Sequence, residues 1–291
     1  MVNNFSSFVD YVFFEDCFSR GVGMGELIFI GLGLYDCLDI SIRGLEGIKG
    51  ADYVFAEFYT SLMPGFRIED FRRMAGKDIT VVSRRDIEDE GGEIILKKAL
   101  HGRVAFLVPG DPMIATTHIA LRIRAEKMGI KTRVIHGASI LSAAIGLSGL
   151  QNYRFGKSVT IPFPDGGVIS QTPYTVISEN KLRNLHTMCF LDIRSEENRY
   201  MTIREALEIL MRLEDINGRG FIRGDSLAVG VARAGSENPV VKAAPIKDLM
   251  TIDFGGPPHT LIIPADKLHF MEAESLITLA GAPKWVMGMV G

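Results

Sequence analysis

The chain has 291 residues, enough for two compact domains or one large one, and either can bury a sizeable core. Its 32 Lys and Arg stand against 35 Asp and Glu, a formal charge of −3, which argues against a nucleic-acid protein held by a strong overall positive field, though not against a local basic patch. Cys17, Cys37 and Cys189 lie far apart and the six histidines form no HxxxH pair, so neither a disulfide framework nor a metal site of these types is encoded.

Residues 1–23 do not fit the rest of the chain. Phe5, Phe8, Phe13, Phe14 and Phe18 sit among Ser, Asn and acids without periodicity, and Met24 stands directly before a clean first strand. We expect a dispensable extension preceded by an upstream start, against an arm packed by its phenylalanines. Met1-Val-Asn-Asn-Phe lacks the basic residues of a signal peptide, and no apolar run approaches the ~20 residues of a membrane helix. A soluble, cytoplasmic protein is expected.

Leu27–Ile30 is the first strand, running into Gly31-Leu-Gly33-Leu-Tyr35-Asp36. Asp39 is placed to cap a helix carrying Ile42, Leu45 and Ile48. Tyr53–Glu57 is a second strand, ending in Glu57-Phe-Tyr-Thr-Ser61. A polar helix comes next around Ile68 to Met74, then a third strand at Ile79–Val82 and a helix at Gly92–Leu100. Val104–Val108 reads as a fully buried strand, closed by a tight Pro109-Gly-Asp111-Pro turn. Ile114, His118, Leu121, Ala125 and Met128 then form the stripe of an amphipathic helix that stops near Gly129. Thr132–Ile135 is the fifth strand. This alternation indicates an N-terminal α/β domain, residues 24–136, on a mostly parallel sheet.

Beyond His136 the pattern changes. Ser139–Leu147 is a small-residue helix, Gly149–Ser158 a loop, Val159–Ile161 a strand and 162–173 a proline-rich loop. Tyr174–Leu182 is helical and Met188–Leu191 a strand. Thr202 with Glu205 makes a capping box for a helix over Ile203–Leu213. Leu227–Val231 and Pro239–Lys242 form a hairpin around Arg233–Glu237. His259–Ile263 is the last strand, before a helix from Asp266 to about Leu279. Hairpins imply a mixed sheet, so residues 137–291 are assigned to a second α/β domain.

Three motifs carry chemical suggestions. Gly31-x-Gly33 after a strand, with Glu57 at the distance of a ribose-binding acid, is half of a dinucleotide fingerprint, but Asp36 stands where the third glycine belongs. It is either a nicotinamide site or simply a tight turn. Gly156-Lys157-Ser158 is not a phosphate-binding loop, because Gln151 occupies the position of its first glycine. Asp111, between Gly and Pro at a strand's carboxyl end, is either a local turn cap or a ligand-binding acid. His259 beside Pro257 and Pro258 is open to the same pair of readings, core or functional, and His118 reads as core or lining.

Taken together, Gly31-Leu-Gly-Leu-Tyr-Asp-Cys-Leu-Asp-Ile-Ser41, Ala56-Glu-Phe-Tyr-Thr-Ser61, Pro109–His118, Val134-Ile-His-Gly-Ala-Ser-Ile140, Phe155-Gly-Lys157, Leu185-His-Thr, Leu191-Asp-Ile193, Ala232-Arg-Ala-Gly-Ser236 and Pro258-His259 resemble the diphthine synthases of the tetrapyrrole methylase superfamily. The likeness runs from Met24 to the carboxyl end. Tyr35-Asp36-Cys37 departs from the Gly/Asp-Pro of the wider group, which counts against a corrin or sirohaem substrate. Residues Arg194–Met201 join directly to the next helix without the insertion of eukaryotic relatives, which looks archaeal.

The resemblance implies a tetrapyrrole-methylase-like fold and methyl transfer from S-adenosyl-L-methionine to the amino group of the 3-amino-3-carboxypropyl-histidine of translation elongation factor 2, giving the trimethylated diphthine. It places the donor in a cleft between the two α/β domains, on Leu34, Asp111, Ile114, Ser139, Ile140, Leu191, Ala234 and His259, with Ala232 competing for the place of Ala234. Asp111 and the backbone around Gly33 would anchor the adenosyl and methionyl parts of the donor, and Leu34, Ile114, Ile140 and Leu191 would pack its adenine and thioether. It further implies a homodimer, no metal and no direct nucleic-acid or membrane partner. An α-amino group of pKa near ~8 supplies a free-base fraction unaided, so no indispensable general base is expected and no catalytic residue is assigned. The rival readings are a precorrin or uroporphyrinogen methyltransferase, a nicotinamide dehydrogenase, and a non-enzymatic partner of the elongation factor.

Overall fold

Leu27, Ile28, Phe29 and Ile30 are all without solvent exposure, so the first strand, β1 (Glu26–Gly31), is covered on both faces. That is the condition of a parallel sheet flanked by helices. The computed structural model describes residues 25–291; the expected extension over 1–23 lies outside the described residues. β1 pairs in parallel with β4 (Arg103–Val108) and β5 (Lys131–Ile135), and β2 (Tyr53–Ala56) with β4 and β3 (Thr80–Val81), in the order β3-β2-β4-β1-β5.

Period-two alternation sorts the strand residues onto two cores. Leu27, Phe29, Val104 and Phe106 pack with Ile95, Leu96 and Ala99 of α3 (Glu93–Ala99) and with Leu121 and Ala125 of α4 (His118–Lys127). Ile28, Ile30, Ala105 and Leu107 face the other way, onto Ile48 of α1 (Ile42–Lys49) and Phe71 and Ala75 of α2 (Ile68–Ala75).

The second sheet is mixed. β11 (Val240–Pro245), β10 (Leu227–Ala232), β12 (His259–Ile263) and β7 (Thr187–Leu191) are antiparallel in turn, and β6 (Val159–Ile161) adds in parallel to β7. One face carries α6 (Thr172–Leu182) and α7 (Ile203–Asn217), the other α5 (Ile140–Ser148) and α8 (Phe270–Ala280). The expected capping box opens α7: Thr202 Oγ1 accepts from the Glu205 amide at 3.2 Å, and a Glu205 carboxylate oxygen accepts from the Thr202 amide at 2.8 Å.

Several elements differ from the sequence expectation. The cap of α1 is Ser41, which accepts from the Gly44 amide, whereas Asp39 turns back to receive the Leu34 and Tyr35 amides at 2.9 and 2.7 Å. Asp39 therefore ties down the loop after β1. The amphipathic stripe overreached at its start: α4 begins at His118, and Ile114 is an exposed loop residue. Thr172 and Pro173 belong to the first turn of α6, where proline's missing N–H is tolerated. His269 caps α8, so Asp266 lies in the preceding loop. Arg194–Met201 runs on into α7 without an insertion, and β8 (Ile193–Arg194) and β9 (Arg199–Tyr200) form a small hairpin within it that the sequence did not suggest.

The carboxyl ends of the central strands meet on glycine. A methyl group on Gly31 would lie 2.5 Å from both the Gly110 carbonyl oxygen and the Gly137 nitrogen, and one on Gly137 would collide with the same carbonyl. Gly33, at φ 85°, exchanges backbone hydrogen bonds with Gly110, at φ 70°. Gly31-x-Gly33 thus serves close approach of three loops, not a dinucleotide turn. Gly31→Ala is expected to destabilise by about 3 kcal/mol, as overpacking against backbone that cannot yield. Gly146→Ala, in open space within α5, is expected to gain about 0.5 kcal/mol from helix propensity alone. Urea unfolding of the two variants checks the contrast.

Candidate active site

The loops that leave β1, β4 and β5 face the second sheet across a cavity of about 560 Å³, within the range of small-molecule sites. Leu34, Asp111, Ile114, Ser139, Ile140, Leu191, Ala234 and His259 all lie on its wall. Leu34, Asp111 and Ile114 come from the parallel half, Ser139 and Ile140 from the start of α5 just after β5, and the last three from the mixed half. Ala232, the competitor of Ala234, ends β10 fully buried and is not on the wall. The halves touch beside Leu34: a methyl on Gly235 would come 2.6 Å from the Leu34 Cβ.

Asp111 answers both descriptions the sequence left open. Its Oδ1 accepts from the Met113 amide two residues on, at 2.9 Å, the local turn bond. Its Oδ2 lies 2.8 Å from Nδ1 of His136, which comes after β5 and is itself exposed. With two bonds made and the side chain nearly buried at the cavity wall, the carboxylate retains acceptor capacity for a ligand. Ser139 caps α5 by accepting from the Leu141 amide at 3.2 Å, which leaves its O–H free to donate.

His259 is the satisfied core histidine. Nε2 sits 3.1 and 3.2 Å from the Gly255 and Gly256 carbonyls, which requires the proton on Nε2, and Nδ1 receives the Ile203 amide at 3.4 Å. Burial pushes its pKa down, so the ring is neutral at pH 7. Arg233, turned to φ 51°, donates to the Phe254 and Gly256 carbonyls and so aims Ala234 at the cavity.

Glu57 is not available to a ribose. It is fully buried, and its own loop consumes it: Oε2 accepts the Tyr59 and Thr60 amides at 2.9 and 3.0 Å, and Oε1 the Thr60 hydroxyl. His118, also fully buried, places Nε2 3.4 Å from the Tyr59 hydroxyl and 3.8 Å from Glu57 Oε1. Tyr59, Thr60, Ser61, Arg84 and Glu88 line the cavity as well, and were not singled out as site residues. Ala56–Ser61 gave a signal, as a block of resemblance at a strand end; Arg84, in a polar stretch without periodicity, gave none. Among the described residues no cluster of three or more His, Cys, Asp or Glu is arranged to hold a metal ion, and no helix is long and apolar enough to cross a membrane.

The sequence model of the tetrapyrrole (corrin/porphyrin) methylases matches residues 26–250. The diphthine synthase of Methanocella arvoryzae is 53% identical over 255 residues, 88% of this chain and 98% of its own. That of Methanothermobacter thermautotrophicus is 48% identical over 261 residues, 90% and 98% of the two chains. This chain belongs to the tetrapyrrole methylase family, in the diphthine synthase branch. A crystal structure of diphthine synthase superimposes with a TM-score of 0.83 at 43% identity, covering 91% of this chain and all of that one. The chain is an S-adenosyl-L-methionine-dependent methyltransferase. This methylase has no dinucleotide glycine loop for a physical reason, since the glycines after β1 and β4 are spent on each other.

The wall chemistry of the methylase suits that donor. The eight wall residues expected to hold it comprise one carboxylate, one hydroxyl with its proton free to donate, one imidazole and five apolar side chains.

Burial raises Glu57 from the usual 4.5 to about 7, outweighing the bonds from Thr60 and Tyr59 that favour its charge. The folded chain thus holds a proton that the unfolded chain releases above pH 4.5. The matching stability is complete below that pH and is lost as pH rises through 7. Burial lowers His118 to about 4, with the opposite sign: stability is lost as pH falls from 6.5 towards 4. Glu57→Gln removes only the first effect. Relative to the wild type, it is expected to gain on the order of 2–3 kcal/mol between pH 4.5 and 8, read as the difference of two urea-unfolding series.

Proposed function

We propose that this enzyme methylates the amino group of the 3-amino-3-carboxypropyl-histidine of translation elongation factor 2, three times in succession, to give diphthine. The observation that carries the reading is the convergence of all eight donor-assigned side chains on one cavity, in a chain about half identical to diphthine synthases over nearly their whole length. The corrin alternative shares the fold, but the relatives at half identity are diphthine synthases, and the Tyr35-Asp36-Cys37 segment fits that branch. The reading includes a homodimer acting in the cytoplasm, and a division at residue 137 into two domains with the donor between them.

Bound S-adenosyl-L-methionine supplies an electrophilic methyl on a sulfonium. The protein's part is to hold and align. Asp111, steadied by His136, and the Ser139 hydroxyl would take the donor's polar groups, while Leu34, Ile114, Ile140 and Leu191 would enclose its apolar parts. His259 and Arg233 hold the Gly255–Pro258 loop and Ala234 in place. Alignment of amine and methyl by such a frame supplies roughly 7–11 kcal/mol of a barrier, and a neutral His259 adds no positive charge beside a sulfonium.

Mass spectrometry of elongation factor 2 carrying the 3-amino-3-carboxypropyl group, after incubation with the enzyme and donor, is expected to show one, two and then three added methyl groups. Methylation of a precorrin in its stead would overturn the assignment. Asp111→Ala is expected to weaken donor binding about ten-fold or more, roughly the worth of a lost hydrogen bond to a charged group, with His136→Ala smaller in the same direction. Calorimetric titration of the folded variants with donor measures both, and an unchanged affinity for Asp111→Ala removes that residue from the donor site.

A further inference from the structure

The eight donor-assigned residues occupy part of the cavity wall. Five of them come from the chain just after β1, β4 and β5, whereas β2 and β3 form the other flank of the parallel sheet. The chain beyond these two strands supplies Tyr59, Thr60, Ser61, Arg84 and Glu88 to the wall. The cavity therefore extends past the donor set towards a polar flank to which no role has been given.

Arg84 is the one Lys or Arg side chain lining the cavity among the described residues, against the carboxylates of Glu88, Asp111 and Asp192. Those acids are occupied. Asp192 accepts the Ile193 and Phe163 amides, both at 2.9 Å, Asp111 is held by Met113 and His136, and Glu88 Oε1 receives the Thr117 hydroxyl at 3.0 Å. The guanidinium is not. Among the described residues it rests over the Tyr59 ring at 4.9 Å, with one hydrogen bond, Nη1 to Glu88 Oε2, at a long 3.4 Å, and a looser ion pair of 3.9 Å to Glu196 of the β8–β9 hairpin. Charge-assisted bonds normally lie at about 2.7–2.9 Å, and a guanidinium presents five donors in a planar fork that fits a carboxylate with two parallel bonds. Arg84 is held in position by an aromatic face and left short of partners.

We propose that Arg84 is the anchor for the carboxylate of the acceptor, restricting the enzyme to amines that carry a carboxylate on the same carbon. The inference rests on the function proposed above. A carboxylate pinned by the fork fixes its neighbouring amine, and fixes it towards the donor end, because Arg84 closes the opposite flank. A plain lysine-like amine gains nothing from this contact, which makes Arg84 a determinant of specificity as well as affinity. The competing role is a latch, in which Arg84 serves only to join the two halves through Glu196.

Steady-state kinetics of the full chain with 3-amino-3-carboxypropyl-modified elongation factor 2 separate these roles, with donor affinity measured by calorimetry on the same preparations. Arg84→Gln is expected to raise KM for the protein substrate about ten-fold or more while donor affinity stays within about two-fold, as for loss of a charged recognition contact. Arg84→Lys keeps the charge without the fork and falls between. Glu196→Gln breaks the latch, keeps the anchor, and leaves KM within about two-fold. An unchanged KM in Arg84→Gln overturns the proposal, as does a Glu196→Gln variant that matches it. Unchanged donor affinity certifies that the variants are folded, and a wild-type enzyme that fails to methylate the factor overturns the functional reading itself.

Discussion

Three strand ends can share one spot in this fold because two of them, at Gly31 and Gly137, carry no side chain and the third, Gly110, takes a left-handed backbone. The β1, β4 and β5 loops close on one another so tightly that a methyl on Gly31 or Gly137 would fall within 2.5 Å of the neighbouring backbone, while Gly110 contributes its φ of 70°. From that contact the positions of the site are determined. Gly110 fixes the place of Asp111, Gly137 that of Ser139, and the Gly33–Gly110 bridge that of Leu34. His136, one residue before the glycine contact, is thereby brought to hydrogen-bond distance of a carboxylate 25 positions earlier. A site assembled in this way inherits its precision from the sheet beneath it, where the strand residues are buried on both faces, and not from the loops themselves.

The same constraint explains which parts of the molecule were legible in the sequence. Strands buried on both sides announce themselves as unbroken apolar runs, and β1, β4, β10 and β12 stand where those runs stand. The reversal from parallel to mixed pairing was legible too, because a hairpin needs turn residues at a short spacing and Arg233–Glu237 supplies them. Helix starts were not. Ile114 continues a four-three spacing with His118 and Leu121, yet it belongs to a loop, because periodicity cannot tell a buried face from a cavity wall. Asp39 and Ser41 are both good caps by type, and only the demand of the Leu34 and Tyr35 amides for an acceptor decides between them. Arg84 and Glu88 were invisible for a further reason: they reach the cavity through the order of the strands, which no local pattern encodes.

Residues with two plausible explanations turn out to need both. Asp111 makes the local bond that any turn aspartate makes, and that bond is what holds its second oxygen towards His136 and the cavity. His259 is a satisfied core histidine, and the carbonyls that satisfy it belong to the Gly255–Pro258 loop that borders the site. Local satisfaction is the means by which a side chain is kept in one orientation, so it is the precondition of a binding role and no argument against one.

The buried pair of Glu57 and His118 carries this logic beneath the cavity floor. At 3.8 Å the two groups have opposed tendencies, the acid driven by burial to keep a proton until about pH 7 and the imidazole to lose one above about pH 4, so the pair is neutral between those values and gains a negative charge as pH rises through 7. Neutrality matters because Tyr59, bonded to His118, carries Arg84 on its ring face. A net charge below that ring would compete for the guanidinium or repel it, in a place where low dielectric gives such effects weight. While Glu57 keeps its proton, the uncharged floor leaves Arg84 to the anions that approach from the cavity. The enzyme thus places a loosely partnered cation and a firmly bonded carboxylate on the wall of one chamber, an arrangement matched to the proposed pair of ligands, a sulfonium donor and an acceptor that bears a carboxylate.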